Sequence, residues 1–379
     1  MLSLVAAPER ATTVQIRPFT DDLVSAVQDF NGRLAAGGVK YRFPDAPISK
    51  WLPKVDGRHL FQEYFLAVEN GATVRGGYIL KRQDFFIHGT RHNIAFYHLP
   101  LSEGLIDRKY GAIGLRLLTD ALKREPALFV LGIGSRQEPL SRMLTAMSWP
   151  LHAVPFYFNI VRPFRVARKL AYLRTNAFRR VALDAGAFSG AAWLVSRLSA
   201  GRTGRWGRGV SATVQPRFGE WADTIWAECQ ERYSMIGERD RPALDILYPA
   251  SDPRFIRIVV EARGVTIGWA VLLATDMHDD RYFGNLRVGS VVDCLAAPEQ
   301  SGRVIASAVR CLRDHAVDLI VSNQMASAWV RGLEQNGFRA GPSTFLFGAS
   351  KALRSLMRSD DALGGSHINR GDGDGPINL

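Results

Sequence analysis

Residues 93–99 of the chain read NIAFYHL. The histidine of that run, His98, titrates near neutrality and so can act as a base; a histidine hydrogen-bonded within a strand is the other reading. A few residues on, Lys109-Tyr110-Gly111-Ala112-Ile113-Gly114 join a cation to small residues at 111, 112 and 114, where a helix begins. Small side chains let backbone N–H groups approach an anion, and the positive end of a helix starting near Gly114 points at the same place. Lys109 and Arg108 add charge beside it. A tight loop with close helix packing is the alternative use of those glycines. Asp293 stands among Val291, Val292 and Leu295. A carboxylate in such a strand is either ion-paired or faces a cleft, where it can act as a base or contact an amine.

Other clusters carry less. His88 and His92 are separated by Gly89-Thr90, a turn, which does not make a metal pair. Asp372-Gly373-Asp374-Gly375 is similar to a fragment of a calcium loop, without its full ligand series or terminal Glu. The three cysteines are scattered, with no Cys-x-x-Cys pair, which fits a reducing compartment and argues against a thiolate zinc site. No metal is expected.

The elements that would position these groups recur in order. Residues 14–19 alternate as a strand, and Thr20-Asp21-Asp22 starts a helix with a hydroxyl cap and two acids in its first turn. Strands 64–69 and 73–80 flank Asn70-Gly71, a hairpin turn. Strand 93–99, helix 114–122, strand 127–133, helix 139–147 and strand 153–161 follow. After residue 209 the series repeats: strand 210–214, helix 218–233, hairpin 255–261 and 266–273 about Arg263-Gly264, strand 288–295, helix 299–315, strand 318–322, helix 327–335 and strand 344–347. The order predicts an α/β chain in which one unit is used twice.

That order, with Ile16-Arg17-Pro18-Phe19-Thr20-Asp21-Asp22 at its start and Lys109–Gly114 before the third helix, resembles the GNAT superfamily of acyl-CoA-dependent N-acetyltransferases. The superfamily's pyrophosphate loop is Gln/Arg-x-x-Gly-x-Gly/Ala; here Lys109 stands for the Arg and Ala112 for the first Gly. Leu333-Glu334-Gln335-Asn336-Gly337-Phe338 is similar to a helix-to-strand corner of the same fold. The resemblance covers about 14–161 and 210–350. It implies two GNAT-like mixed sheets flanked by helices and joined by a basic helical linker. It implies acetyl-CoA or another acyl-CoA as co-substrate, its pyrophosphate on Lys109, Tyr110, Gly111, Ala112, Ile113 and Gly114. It also places Tyr97 and His98 beside the thioester, with Glu103 in the loop beyond. Many members carry a tyrosine acid in the fourth helix; 142–147 has none, and neither does 329–333. In the second copy, Glu299-Gln300-Ser301-Gly302-Arg303-Val304-Ile305-Ala306 has one glycine, bulky neighbours and an acid, so its cofactor loop reads as degenerate. The chain is also similar to tandem GNAT proteins of bacterial polysaccharide-assembly gene clusters.

Charge is local. Residues 162–208 hold 11 Lys/Arg against Asp184 alone, whereas 1–161 carry 19 and 14, and 209–379 carry 18 and 21. Most of the formal +12 therefore belongs to the connector. Three uses are open to it: a solvated linker, an interfacial helix on anionic lipid, or an RNA contact, the last the weaker. No signal peptide or spanning segment is evident, and a cytoplasmic protein, peripheral at the inner membrane face, is expected. The expected units are 1–161 with the acyl-CoA site, a 162–209 linker, 210–350 with a degenerate loop, and a polar Gly/Asp-rich solvated tail over 351–379. The leading expectation is an acyltransferase acting on an amino sugar, lipid-linked saccharide or small metabolite. The alternatives are a cell-wall-type aminoacyl- or peptidyl-transferase using tRNA, and a non-catalytic GNAT-fold binding protein.

Overall fold

Asn70 and Gly71 both take left-handed angles (φ 51° and 77°), as do Arg263 and Gly264 (φ 53° and 78°). Two such residues in succession make the tight turn whose twist matches paired strands. Each turn joins the long hairpin of one copy. In the computed structural model, which describes residues 13–45, 52–169, 209–280, 282–357 and 363–374, these hairpins centre two mixed sheets.

The first copy runs β1 (Val14–Pro18), α1 (Val24–Ala36), β2 (Phe61–Glu69), β3 (Thr73–Ile87), β4 (Thr90–Ser102), α2 (Ile113–Arg124), β5 (Leu128–Leu131), α3 (Pro139–Ala146), β6 (Leu151–Ala153), β7 (Phe156–Ile160) and α4 (Pro163–Lys169). The second runs β8 (Val210–Gln215), α5 (Glu220–Cys229), β9 (Met235–Gly237), α6 (Arg241–Leu247), β10 (Ile256–Ala262), β11 (Val265–Asp276), β12 (Arg287–Ala296), α7 (Ser301–Asp314), β13 (Leu319–Asn323), α8 (Ser327–Gln335), β14 (Arg339–Gly341), β15 (Leu346–Ala349), α9 (Lys351–Leu356) and β16 (Ser366–His367). The amphipathic helices α2 and α7 bury Ile113, Leu117 and Leu118, and Val304, Ile305 and Ala308, against their own sheets.

Two expectations of unit boundaries need correction. The strand expected over 153–161 is broken at Pro155, which has no N–H to give a ladder. Its first part, β6, stays with the first sheet. Its second part, β7, crosses to pair antiparallel with β13 and β14. In return β15 lies between β5 and β6 of the first sheet. The sheet orders are β1-β2-β3-β4-β5-β15-β6 and β14-β7-β13-β12-β11-β10-β8, so the copies exchange a strand and cuts at 161 and 350 divide both sheets.

The tail is the second correction. Instead of a solvated 351–379, residues 366–369 and 371–373 are buried, because other parts of the chain satisfy their polar groups. β16 pairs parallel with β9, which joins β3. The connector assigned above to lipid or RNA lies outside the described residues beyond Lys169. Its described start, Arg162 and Arg165, faces buried Asp318 at 3.8 and 3.4 Å. Among the described residues no helix is long and apolar enough to cross a membrane.

Candidate functional site

β4 and β5 run parallel but pair only at Ala95–Leu128 and Phe96–Phe129. Beyond them β4 continues to Ser102, while the end of β5 turns to β15. A wedge opens there, with one edge of β4 unpaired by β5. Against β3 the register slips: Ile79 faces His98, but Gly77 faces Leu101, so β4 carries one extra residue. Leu99 absorbs it at φ 46°, and Pro100 follows. Bulges of this kind re-aim side chains beside functional sites.

The segment after β4 is braced from behind. Buried Glu103 accepts Arg33 Nε at 2.5 Å and Arg75 Nη1 at 2.7 Å. Glu103 is thereby neutralised as a structural anchor. Arg75 also lies over the Tyr110 ring, 4.5 Å from its centroid, which holds the loop down. Lys109 stays exposed, its Nζ 4.7 Å from the Tyr110 centroid and 3.6 Å from the Asp107 carboxylate. Its pKa is raised, chiefly through Tyr110. Gly111 and Ala112 are exposed, and α2 starts at Ile113, close to the expected position. No carbonyl of the helix can accept its first N–H groups. A Cβ on Gly114 would stand 3.8 Å from Ser102 Oγ and 3.9 Å from Met143 Sδ, ordinary contacts, so the approach to this turn is open. Cation, small residues, free amides and helix end coincide at the base of the wedge, a fit for a diphosphate with an extended arm along β4.

Tyr97 and His98 part to opposite faces of β4, as strand geometry demands. Tyr97 packs in the cluster beneath α2, 5.3 Å from the Tyr78 ring, and its buried hydroxyl has no partner. Burial lifts its pKa far above the usual range, so it keeps its proton and does not serve as a base. His98 is half-buried on the other face, its ring 5.1 Å from Phe96. Burial lowers its pKa, Asp374 opposes this and Lys81 adds to it, leaving imidazole neutral at neutral pH.

Asp293 requires a correction to the base or acceptor contact considered for it. It is 0% exposed and accepts Arg239 Nε at 3.0 Å, Tyr248 OH at 2.8 Å and Asn369 Nδ2 at 2.8 Å. Burial pushes its carboxyl up, but Arg239 and those donors hold it below its ordinary range. It is an ionised strut with no cleft before it.

The C-terminal segment, which composition did not point to, joins both copies. In the second copy β12 and β13 pair from Val288–Leu319 to Val291–Ser322 and then diverge, repeating the wedge. There the chain fills it: His367 Nε2 lies 2.8 Å from Cys294 O, Met325 N donates to Ile368 O at 2.9 Å, and Gln324 bridges to Asn369. Further on, buried Lys81 donates to the carbonyls of Gly371, Asp372 and Gly373 at 3.1, 3.0 and 3.4 Å, and burial lowers its pKa to about 8. Lys81 shares the His98 face of the first sheet. Among the described residues no group of His, Cys, Asp and Glu is arranged to hold a metal.

No family model and no curated protein matches the chain. Solved structures do share its fold. Saccharomyces cerevisiae N-myristoyltransferase with bound myristoyl-CoA matches 92% of this chain and 84% of its own at 11% identity, TM-score 0.52. A GCN5-related N-acetyltransferase from Kribbella flavida matches 89% and 71% at 11% identity, TM-score 0.52. A probable N-acyltransferase from Enterococcus faecalis V583 matches 91% and 74% at 10% identity, TM-score 0.50. At such identities the likeness is one of fold: two GNAT-like mixed α/β sheets in one chain.

Proposed function

We propose that the first copy is an acyl-CoA-dependent acyltransferase site and that the second copy shapes it without binding a coenzyme. The observation that carries this is the divergence of β4 from β5, which leaves the β4 edge without a paired strand, whereas the matching divergence of β12 from β13 is bridged by residues 366–369. Acyl-CoA would supply an activated thioester, acetyl or longer. The first amides of α2, with Lys109 at the rim, hold its diphosphate, and the unpaired edge of β4 aligns the extended arm. Neutral His98 would take the proton of the attacking amine, directly or through one water, as a general base; the amine nitrogen bonds to the acyl carbon, the C–S bond breaks, and the proton passes on to the departing CoA thiolate. The acceptor we assign is an amino sugar, a lipid-linked saccharide or a small amine. The basic connector would hold the protein against anionic lipid at the cytoplasmic face.

Isothermal titration with acetyl-CoA tests the site. Wild type should bind at micromolar to submillimolar concentration, and Gly114→Trp, which fills the mouth of α2, should weaken binding by at least ~30-fold, about 2 kcal/mol. Heat-silent wild type at millimolar acetyl-CoA would refute the assignment, and binding indifferent to Gly114→Trp would move it elsewhere.

A further inference from the structure

Arg370 stands at the C-terminal end of β13, three residues before Gly373, which lies against the end of β5, and it is poorly bonded for its position. It begins the turn Arg370–Asp372, whose capping Asn369 is tied to Asp293. Its Nη1 reaches Asn323 Oδ1, at the end of β13, at 3.4 Å. Its Nε is sealed from solvent and has no hydrogen-bond partner. The contrast with Arg239 is direct: that guanidinium, fully buried where Arg370 is half-buried, gives its Nε to Asp293, Nη1 to Gly237 O and Nη2 to Asp372. A guanidinium presents five donors in a rigid fork matched to carboxylate and phosphate oxygens. Sealing the Nε of such a fork without an acceptor, and giving the rest one long bond, is unfavourable unless something else fills it. Burial lowers the pKa of Arg370 to about 10, against the pull of Asp374, so it remains a cation at neutral pH.

Its surroundings connect it to the proposed chemistry. The next residues, Gly371 to Gly373, lie on Lys81, on the face that bears His98. A Cβ on Gly373 would be 3.2 Å from Leu131 Cδ2, at the end of β5. Asp374 acts electrostatically on both Arg370 and His98. One short turn therefore separates an unsatisfied cation from the candidate base. Ligands of α/β sheets gather at such carboxyl ends of parallel strands.

We propose that Arg370 receives an anionic group of the acceptor while the amine of the same molecule is presented to His98, so that the acceptors are amines carrying a carboxylate or phosphate. The proposal rests on the transferase reading for the role of His98, but the anion site itself can be tested without turnover. Thermal unfolding of the full chain is followed with inorganic phosphate and, separately, acetate as probes. Wild type and Gly114→Trp should each gain about 2–4 °C at saturating probe. In the Gly114→Trp background, where the diphosphate cradle is closed, Arg370→Gln should gain nothing and Arg370→Lys an intermediate amount. The larger shift, with phosphate or with acetate, identifies the oxygen group preferred. A gain in Gly114→Trp/Arg370→Gln equal to that of Gly114→Trp alone, or none in Gly114→Trp, overturns the proposal. A merely structural arginine would lower the starting Tm of Arg370→Gln but leave the response to probe intact, which also overturns it. In turnover with acetyl-CoA, glucosamine 6-phosphate is compared with glucosamine, and glycine with ethanolamine. Arg370→Gln should raise KM for the charged member of the preferred pair roughly 30-fold or more, with KM for acetyl-CoA unchanged. If wild type fails to bind acetyl-CoA, the transferase reading falls and the probe titration still decides Arg370.

Discussion

Tyr97 and His98 are neighbours in sequence yet live in different electrostatic worlds, because successive strand residues face opposite sides. Tyr97 enters the apolar layer under α2 and holds its proton; His98 meets the polar segment that crosses from the other copy. Replacing His98 by Gln should lower kcat by about 10²–10⁴-fold and leave acetyl-CoA affinity unchanged in calorimetry. Since the folded pKa of His98 is lowered, its basic form persists below pH 6.5. The acid limb of the wild-type rate profile should accordingly lie under pH 6.5 and flatten in His98→Gln; a limb above it, or none altered by the substitution, would remove His98 from the reaction. Asp293 belongs to another class of residue. Asp293→Ala leaves Arg239 charged and buried with only Asp372 as counter-ion, and should cost about 3–5 kcal/mol in urea unfolding. Loss of activity with unchanged stability would restore it as a catalytic group.

At the scale of elements, both hairpins and α2 were legible, because Asn70-Gly71 and Arg263-Gly264 state local backbone requirements and Ile113, Leu117, Leu118 and Ala121 carry helical spacing. The destination of β7 was not. Phe156–Ile160 alternates as any half-buried strand does, and alternation names no partner. The tail misled for a similar reason: Gly and Asp read as solvated unless one knows that Arg239 and Lys81, far off in sequence, will meet them. Nor could the orphaned Nε of Arg370 be seen in a run that looks like a loop. The segment 366–373 should act as an acid-sensitive clasp. His367, 1% exposed, has its pKa lowered to about 4 by burial and Arg239. In the unfolded chain it takes a proton near pH 6.5. Between these values the unfolded state binds more protons, so stability falls as pH drops from about 6.5 toward 4, by up to roughly 3 kcal/mol from this group. Urea unfolding of wild type and His367→Gln at pH 7 and 4.5 measures this as a difference in slope; parallel slopes would mean that His367 is not buried neutral.

For the whole molecule, the strand exchange makes the copies interdependent. Each sheet lacks a strand without the other; Asp293 and Arg239 tie the tail to the second copy, and Lys81 ties it to the first. Fragments 1–161 and 210–379, expressed apart, should each fail to give a sharp unfolding transition, whereas the full chain should melt in one step by calorimetry and fluorescence together. Two separated transitions in the full chain would show the lobes to be thermodynamically independent.

The exchange also sets a timetable for synthesis. Ile160, the last residue of β7, leaves the ribosome 186 residues before Leu346, the first of β15 (346 minus 160). At typical elongation rates of about 5–20 residues per second, that gap is on the order of 10–40 s. Throughout it β5 keeps an open edge, and until β13 has been made at Asn323 β7 has no sheet to join, so the nascent first half is an adhesive intermediate. Hsp70-type holding of the emerging chain, or slow codons placed after β15 instead of before it, would decide how much of this protein reaches its native state.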